Sequence, residues 1–308
     1  MNKGIRGICL LASLCLLLGA CQRHLPDSGT MTEGNGEPTQ TQTETVTPET
    51  ESAREKRERE DREDREMAER DFEENKTMTF EGKTYELTFI DSFNGHRLDR
   101  TKWEYCPNWT RDQCVWTDRE AYLQDGNLIL NVSGDGVPYR AGAIRTHSRF
   151  EQTYGYFEVR CRLQQIRSGI CSSFWLMSYE MNDAVLGAED GAEIDIFEAV
   201  PGHKPSYVQH ALHWDGYGDN HKSWNFGIER GRLYIGYHTF ALLWDEEGYR
   251  FFIDGKETAS YTGDVCRVPC YLKLTAAVGG WTGELDPSKL PIPGLEVDYV
   301  KVYKEVKP

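Results

Sequence analysis

Three carboxylates fall within six residues of one another: Glu193, Asp195 and Glu198 lie in the stretch GAEIDIFEAV at 191–200. Side chains alternate along a β-strand, so Glu193 and Asp195 share one face while Ile194 and Ile196 take the other. A straight strand would carry Glu198 to that apolar face, where an unpaired carboxylate is costly to bury. A β-bulge near Ile196 and Phe197 removes the conflict, because one extra residue resets the alternation and returns Glu198 to the acidic side. Carboxylates crowded in one groove cannot all stay ionised at neutral pH, so at least one pKa should rise. A protonated carboxyl beside an ionised one suits cleavage of a glycosidic bond: one group attacks the anomeric carbon and the other protonates the leaving oxygen. Two other readings stay open on spacing alone, an acidic strand face turned to solvent and a calcium site fed by carboxylate oxygens.

The elements that must position these groups are β-strands. From about Met78 to Lys307 the chain is a succession of short alternating runs broken by Gly, Asp and Asn, such as NLILNVSG (127–134), YGYFEVRCRL (154–163) and LEVDYVKVY (295–303). Asp254-Gly255 between YRFFI and KETASY is a hairpin signal. Many short strands without a long helical pattern predict one all-β sandwich over residues 78–308. Six cysteines lie in this region, and pairing by nearness in sequence would give Cys106–Cys114, Cys161–Cys171 and Cys266–Cys270. Metal ligation by CRVPC (266–270) lacks a matching Cys/His set nearby.

E-I-D-I-F-E resembles the E-x-D-x-x-E signature of glycoside hydrolase family 16 in its bulged-strand branch, which includes laminarinases, agarases, carrageenases and endo-β-galactosidases. The resemblance spans about residues 80–306: DSFNGHRLDRTKW (91–103), RAGAIRTHSRFEQTYGYFEVRCRL (140–163), SSFWLMS (172–178), YHTFALLWDEEGYRFFIDGKE (237–257) and VDYVKVY (297–303) occur in the family's order. It implies a concanavalin-like β-jelly-roll of two antiparallel sheets with an open concave cleft, and endo-action with net retention. It further implies that Glu193 is the nucleophile, Asp195 its electrostatic assistant and Glu198 the acid/base. Trp175 matches a position that stacks on sugar, and His213 one where a His stands beside the acid/base. Trp109, Trp116 and Trp281 are candidate sugar platforms, each with core or loop packing as the alternative. Arg145 is a candidate contact to sugar hydroxyls, with pairing to a nearby acid as its alternative.

Departures narrow the substrate. Laminarinases often carry a Trp-Pro-rich stretch before the Phe-Trp strand, and here it reads SGICSS (168–173). The expected target is therefore a galactose- or glucose-containing β-glycan, leaning to β-galactosidic links of mucin-type or poly-N-acetyllactosamine chains. An endo-β-1,3-glucanase is the alternative enzyme, and a carbohydrate-binding lipoprotein the alternative without catalysis. No cofactor is required. The family's structural calcium often uses a Glu in an opening D-E-F, replaced here by Asp91-Ser92-Phe93, which puts calcium in doubt although Asp298 remains.

Outside the sandwich, residues 1–21 show Lys3 and Arg6, an apolar run from Ile8 to Leu18, and Leu18-Gly19-Ala20-Cys21. The run is short for a membrane span but suits an export signal. The ending resembles a bacterial lipobox, with Cys21 as the lipidated residue, and Gln22 after it points to the outer membrane, periplasmic or cell-surface. Residues 22–77 form a spacer: a polar tract that cannot bury enough surface to order itself, then ESAREKREREDREDREMAERDFEEN (51–75), a solvated helix laced by i,i+4 pairs or a charged coil. The expectation is a tether. Net charge is −15, which excludes binding to nucleic-acid phosphates. The expected partners are a glycan and a membrane reached through the lipid, with the protein monomeric.

Overall fold

Alternation decides where each strand faces. In Gly155–Leu163, Val159, Cys161 and Leu163 are buried while Glu158, Arg160 and Arg162 are half-buried, the period-two pattern of a strand with one face on the core. The computed structural model describes residues 51–106, 108–164, 169–183, 185–200, 206–279 and 282–307. Within these, twenty strands form a twelve-stranded and an eight-stranded sheet. The eight-stranded sheet runs Lys222–Glu229, Tyr207–Trp214, Ala192–Ala199, Ile170–Ser178, Cys270–Val278, Ala143–Arg145, Glu104–Tyr105, each neighbour antiparallel, with Glu151–Gln152 also paired to Cys270–Val278. The twelve-stranded sheet packs on its other side. Ile194, Phe174, Leu272 and Leu274 from one sheet meet Phe157, Val159, Leu242 and Val300 from the other in a single apolar layer. Phe197 and Phe240 cross that layer with ring centroids 4.2 Å apart. The jelly-roll sandwich expected from the sequence is what the chain forms.

Turn chemistry agrees as well. Asp254 and Gly255 take φ of 51° and 69°, joining Tyr249–Ile253 to Lys256–Tyr261 through the left-handed pair that a tight hairpin requires.

Two expectations need correction. The six cysteines are free thiols, and all are buried. Cys161 lies on a strand of the larger sheet and Cys171 on one of the smaller, Cys106 follows Glu104–Tyr105 of the smaller sheet while Cys114 is on Cys114–Trp116 of the larger, and the Cys266 and Cys270 sulfurs stand 3.9 Å apart as a hydrogen-bonded contact. Cys106, Cys114, Cys161, Cys266 and Cys270 instead pack as small core side chains, while Cys171 is buried on the opposite face of the smaller sheet.

The charged segment is a helix, Glu51–Glu74, with Arg54–Glu58, Lys56–Glu60 and Arg59–Glu63 pairs along it, but it is not a free tether. Glu60, Asp61, Asp64, Met67, Ala68 and Asp71 recur at three- and four-residue spacing and are its half-buried positions. That stripe meets the loop after Lys83–Asp91. Arg97 bonds Glu60 and Asp61, the His96 ring lies 2.7 Å from Asp64, and Ser92 donates to Asp71. The docking face is polar, so apolar periodicity could not reveal it.

The residues weighed for calcium have protein partners. Asp91 accepts from the Trp103 indole at 2.8 Å and the Phe93 backbone at 2.9 Å, and Asp298 pairs with Arg160. Residues 1–21, Cys21 included, lie outside the described residues.

Candidate active site

The face of the smaller sheet turned away from the core carries the site. Across the bulged strand Ala192–Ala199, Asp195 lies opposite Ala211 and Glu198 opposite Gln209, so Ile196 and Phe197 together face the single residue His210. On the other flank Trp175 pairs with Asp195 and Phe174 with Phe197, which leaves Ile196 as the inserted residue. Ile194, Ile196 and Phe197 are buried in the core, while Glu193, Asp195 and Glu198 line one pocket on the opposite side. The bulge stands where the alternation conflict required it.

Residues directly paired across strands share a face, and the register therefore lays out the floor of the site in rows. One row reads Glu104, Arg145, Lys273, Trp175, Asp195. The next, on one side, reads Tyr271, Met177, Glu193, His213, and on the other Thr275, Ser173, Glu198, Gln209. Each carboxylate thus has its own set of neighbours. Tyr217, from the turn after Tyr207–Trp214, donates its phenol proton to Glu193. The Gln209 amide donates to Glu198 at 2.7 Å, and the Cys171 sulfur stands 3.9 Å from its other oxygen. Asp195 is 4% exposed, and its Oδ2 has no hydrogen-bond partner. His213 Nε2 approaches that atom at 3.6 Å, too far for a hydrogen bond, while its Nδ1 is 2.9 Å from His221.

Electrostatics separate the three acids. Burial pushes the Glu198 carboxyl up to about 7, the charge of Glu193 adds to the rise, and the Gln209 bond opposes it. Burial, then the charges of Glu198 and Glu193, drive Asp195 well above the usual carboxylate range. A shared proton among crowded carboxylates is the physical result. Burial holds His213 below its ordinary value, so its ring is neutral near pH 7. Arg111, from the short strand Thr110–Arg111 of the larger sheet, reaches into the same pocket. Crowding by protein atoms works against its charge although the side chain stays open to solvent, and the surrounding acids, Glu193 first, outweigh that.

The remaining candidates divide. Trp175 lines the pocket, its indole donating to Thr275 at 3.1 Å. Trp116 lines it too but is buried, held by a 2.9 Å bond to the Ala276 carbonyl, so it is wall rather than rim. Trp109 is 46% exposed beside it, with ring centroids 6.3 Å apart. Arg145 is taken by Glu104 at 2.6 Å, the acid-paired alternative. Trp281 lies outside the described residues. Sequence reasoning missed Arg111, Tyr217, Gln209, Cys171 and Lys273. Gln209 had a signal, since alternation in YVQHALHW puts it on the His213 face. Arg111 and Tyr217 arrive from a distant strand and a turn, which no local pattern announces.

Glu193, Asp195 and His213 each offer a donor atom, all within 4.8 Å of one another, the one such group among the described residues. Glu193 already accepts from Tyr217 and stands near the Arg111 guanidinium, so the field there is partly neutralised by the protein itself.

The sequence model described as "Glycosyl hydrolases family 16" matches residues 108–301, which contain the bulged strand and most of the sheet that frames it. The chain belongs to glycosyl hydrolase family 16. Within family 16 it is 33% identical over 242 residues to a protein named keratan-sulfate endo-1,4-beta-galactosidase from Sphingobacterium multivorum, covering 71% of this chain and 55% of that relative. It is 27% identical over 262 residues to one named glucan endo-1,3-beta-glucosidase A1 from Niallia circulans, covering 71% of this chain and 38% of that one. The chain thus spans about half, or less, of the length of these relatives. A solved structure described by the words "Prominent members of the human gut microbiota express endo-acting O-glycanases to initiate mucin breakdown" superposes with a TM-score of 0.62 at 25% identity. That superposition covers 73% of this chain and 92% of the other.

Proposed function

We propose that this family 16 protein is an endo-acting, retaining β-glycoside hydrolase. The observation that carries the reading is the bulge, which brings Glu198, with its carboxyl pushed up to about 7, onto the face that holds Glu193. Glu193 attacks the anomeric carbon while Glu198 gives its proton to the glycosidic oxygen, and the leaving chain departs as an alcohol. Glu198, now a carboxylate, takes a proton from water; that water attacks the same carbon and releases Glu193. Asp195 sits between the two, its buried charge state coupling the proton on Glu198 to the charge on Glu193. Tyr217 and Arg111 brace Glu193, and Trp175 offers an apolar face to the sugar beside the reacting bond.

The substrate we propose is a β-galactosidic glycan of the mucin or poly-N-acetyllactosamine type. The similarity to a protein named as a keratan-sulfate endo-β-galactosidase supports it, as does the replaced Trp-Pro stretch at 168–173. β-1,3-Glucan is the second reading, favoured by the similarity to a protein named as a glucan endo-1,3-β-glucosidase. The Leu18–Cys21 motif supports attachment to the outer membrane by a lipid at Cys21.

Product analysis on keratan sulfate, mucin O-glycans, laminarin, mixed-linkage glucan, agarose and carrageenan tests the assignment. Internal cuts with retained anomeric configuration are expected on the first two. Glu193→Gln and Glu198→Gln should each lower kcat by about 10³-fold or more, from the usual size of nucleophilic and acid/base contributions. Near-full activity in either variant would remove that residue from the mechanism.

A further inference from the structure

Lys273 has no part in the chemistry above, yet it is 2% exposed and carries an ammonium. A buried lysine commonly has an acidic partner. Among the described residues the close partners of this one are indoles. Its Nζ lies 3.6 Å from the ring centroid of Trp175, 5.5 Å from Trp116 and 5.8 Å from Trp109. Arg145, next in the row, stands 5.1 Å over Trp109 from the far side of the same group.

Two of the three rings are also held at an edge by a hydrogen bond. Trp175 donates to Thr275 and Trp116 to the Ala276 carbonyl. Those bonds help to hold the two rings, and a cation near the π-face adds a further hold on each plane. Among the described residues Lys273 is the one cation near all three rings.

We propose that Lys273 is a positioning residue. Its ammonium locks Trp175, Trp116 and Trp109 into one aromatic wall leading from the carboxylates towards the Glu104–Tyr105 edge, and so sets how many successive sugars on that side contribute to binding. The proposal rests on the reading of this face as a glycan-cleaving site. Burial lowers the Lys273 pKa to about 8, so the lock weakens as pH rises through that value. The charged and titratable groups facing it are Cys106, pushed up to about 11 by burial, Glu193, Arg145 and Arg111, with Glu104 behind Arg145 and Asp195 beyond Trp175 in the same row.

Lys273→Met keeps the length and apolar stem of the side chain and removes the charge. On oligosaccharides of increasing length cut from a glycan the protein hydrolyses, KM for the longest should rise about tenfold, with kcat within about twofold on every length. Lys273→Arg should restore the dependence on length. A wild-type KM on long chains, or a kcat loss equal at all lengths, would overturn the proposal. Tryptophan emission between pH 7 and 10, measured without substrate, reads the same lock independently of catalysis. A transition near pH 8 is expected in the wild type and in Glu198→Gln, and no transition in Lys273→Met. Its absence from the wild type overturns the lock even if Lys273→Met does not fold. A normal transition in a protein that cuts no glycan would instead remove the catalytic reading.

Discussion

Gln209 limits how strongly Glu198 holds its proton. The Glu198 carboxyl has an ordinary value of 4.5 and stands near 7 here, so it is protonated below about pH 7 and loses its donating form above it. In its proposed role as proton donor to the leaving oxygen, Glu198 should give kcat/KM an alkaline limb falling through that value. The Gln209 N–H stabilises the charged form, and its removal disfavours that form. Gln209→Leu should therefore move the alkaline limb to higher pH, as a pH–rate profile would reveal; an unmoved limb would detach Gln209 from the titration of Glu198. The role of Gln209 was half legible in sequence. Alternation gives its face, but only the pairing register puts it across from Glu198 rather than Glu193.

At the scale of the strand, the bulge was legible and the thiols were not. Glu193, Asp195 and Glu198 cannot share a face on a regular ladder, and Ile194, Ile196 and Phe197 cannot leave the core, so the sequence contains a contradiction that only an inserted residue resolves. The cysteines carry no such contradiction. A buried thiol and a half-disulfide look alike in one dimension, and distance along the chain says little when a sandwich sends successive strands to opposite sheets. Arg111 is hidden for the same reason, since it reaches the acids from the other sheet. Deleting Ile196 tests the bulge directly. The shortened strand returns to plain alternation with Glu193, Asp195 and Glu198 still on one face, but it loses the bend of the bulge and the Ile196 side chain in the core. Hydrolysis should fall because the bend that sets the distance of Glu198 from Glu193 is gone, and urea unfolding should show a loss of roughly 2–4 kcal/mol from the missing core side chain. Retained activity in the deletion variant would show that a shared face is enough and that the bend is not needed.

Over the whole molecule, the helix Glu51–Glu74 behaves as part of the folded unit. Isolated charged helices of this length are marginal in water, and this one gains its order by laying a polar stripe on the loop around Ser92, His96 and Arg97. Its pairs are exposed, so each contributes little alone and less in salt. Removing residues 51–74 should lower the melting temperature by about 3–8 °C in low salt, by the usual conversion of one or two kcal/mol for a domain of this size. In 1 M NaCl the difference should shrink, and hydrolysis should persist in both. Differential scanning fluorimetry with and without salt checks this; equal melting temperatures in low salt would return the segment to a passive spacer.

The three acids ride on an inner ladder, with strands to spare on either flank before the sheet ends. The loop at 179–190 hangs from the end of that ladder, its Val185 and Leu186 amides bonded to the Asp190 carboxylate, and its hydrophobic tip faces water. The three acids and this exposed loop are therefore separate parts of the chain. Exchanging this lip for a relative's should alter which polysaccharide is admitted while the stereochemistry of the cut stays the same, so the fold can diversify its diet without reinventing its reaction.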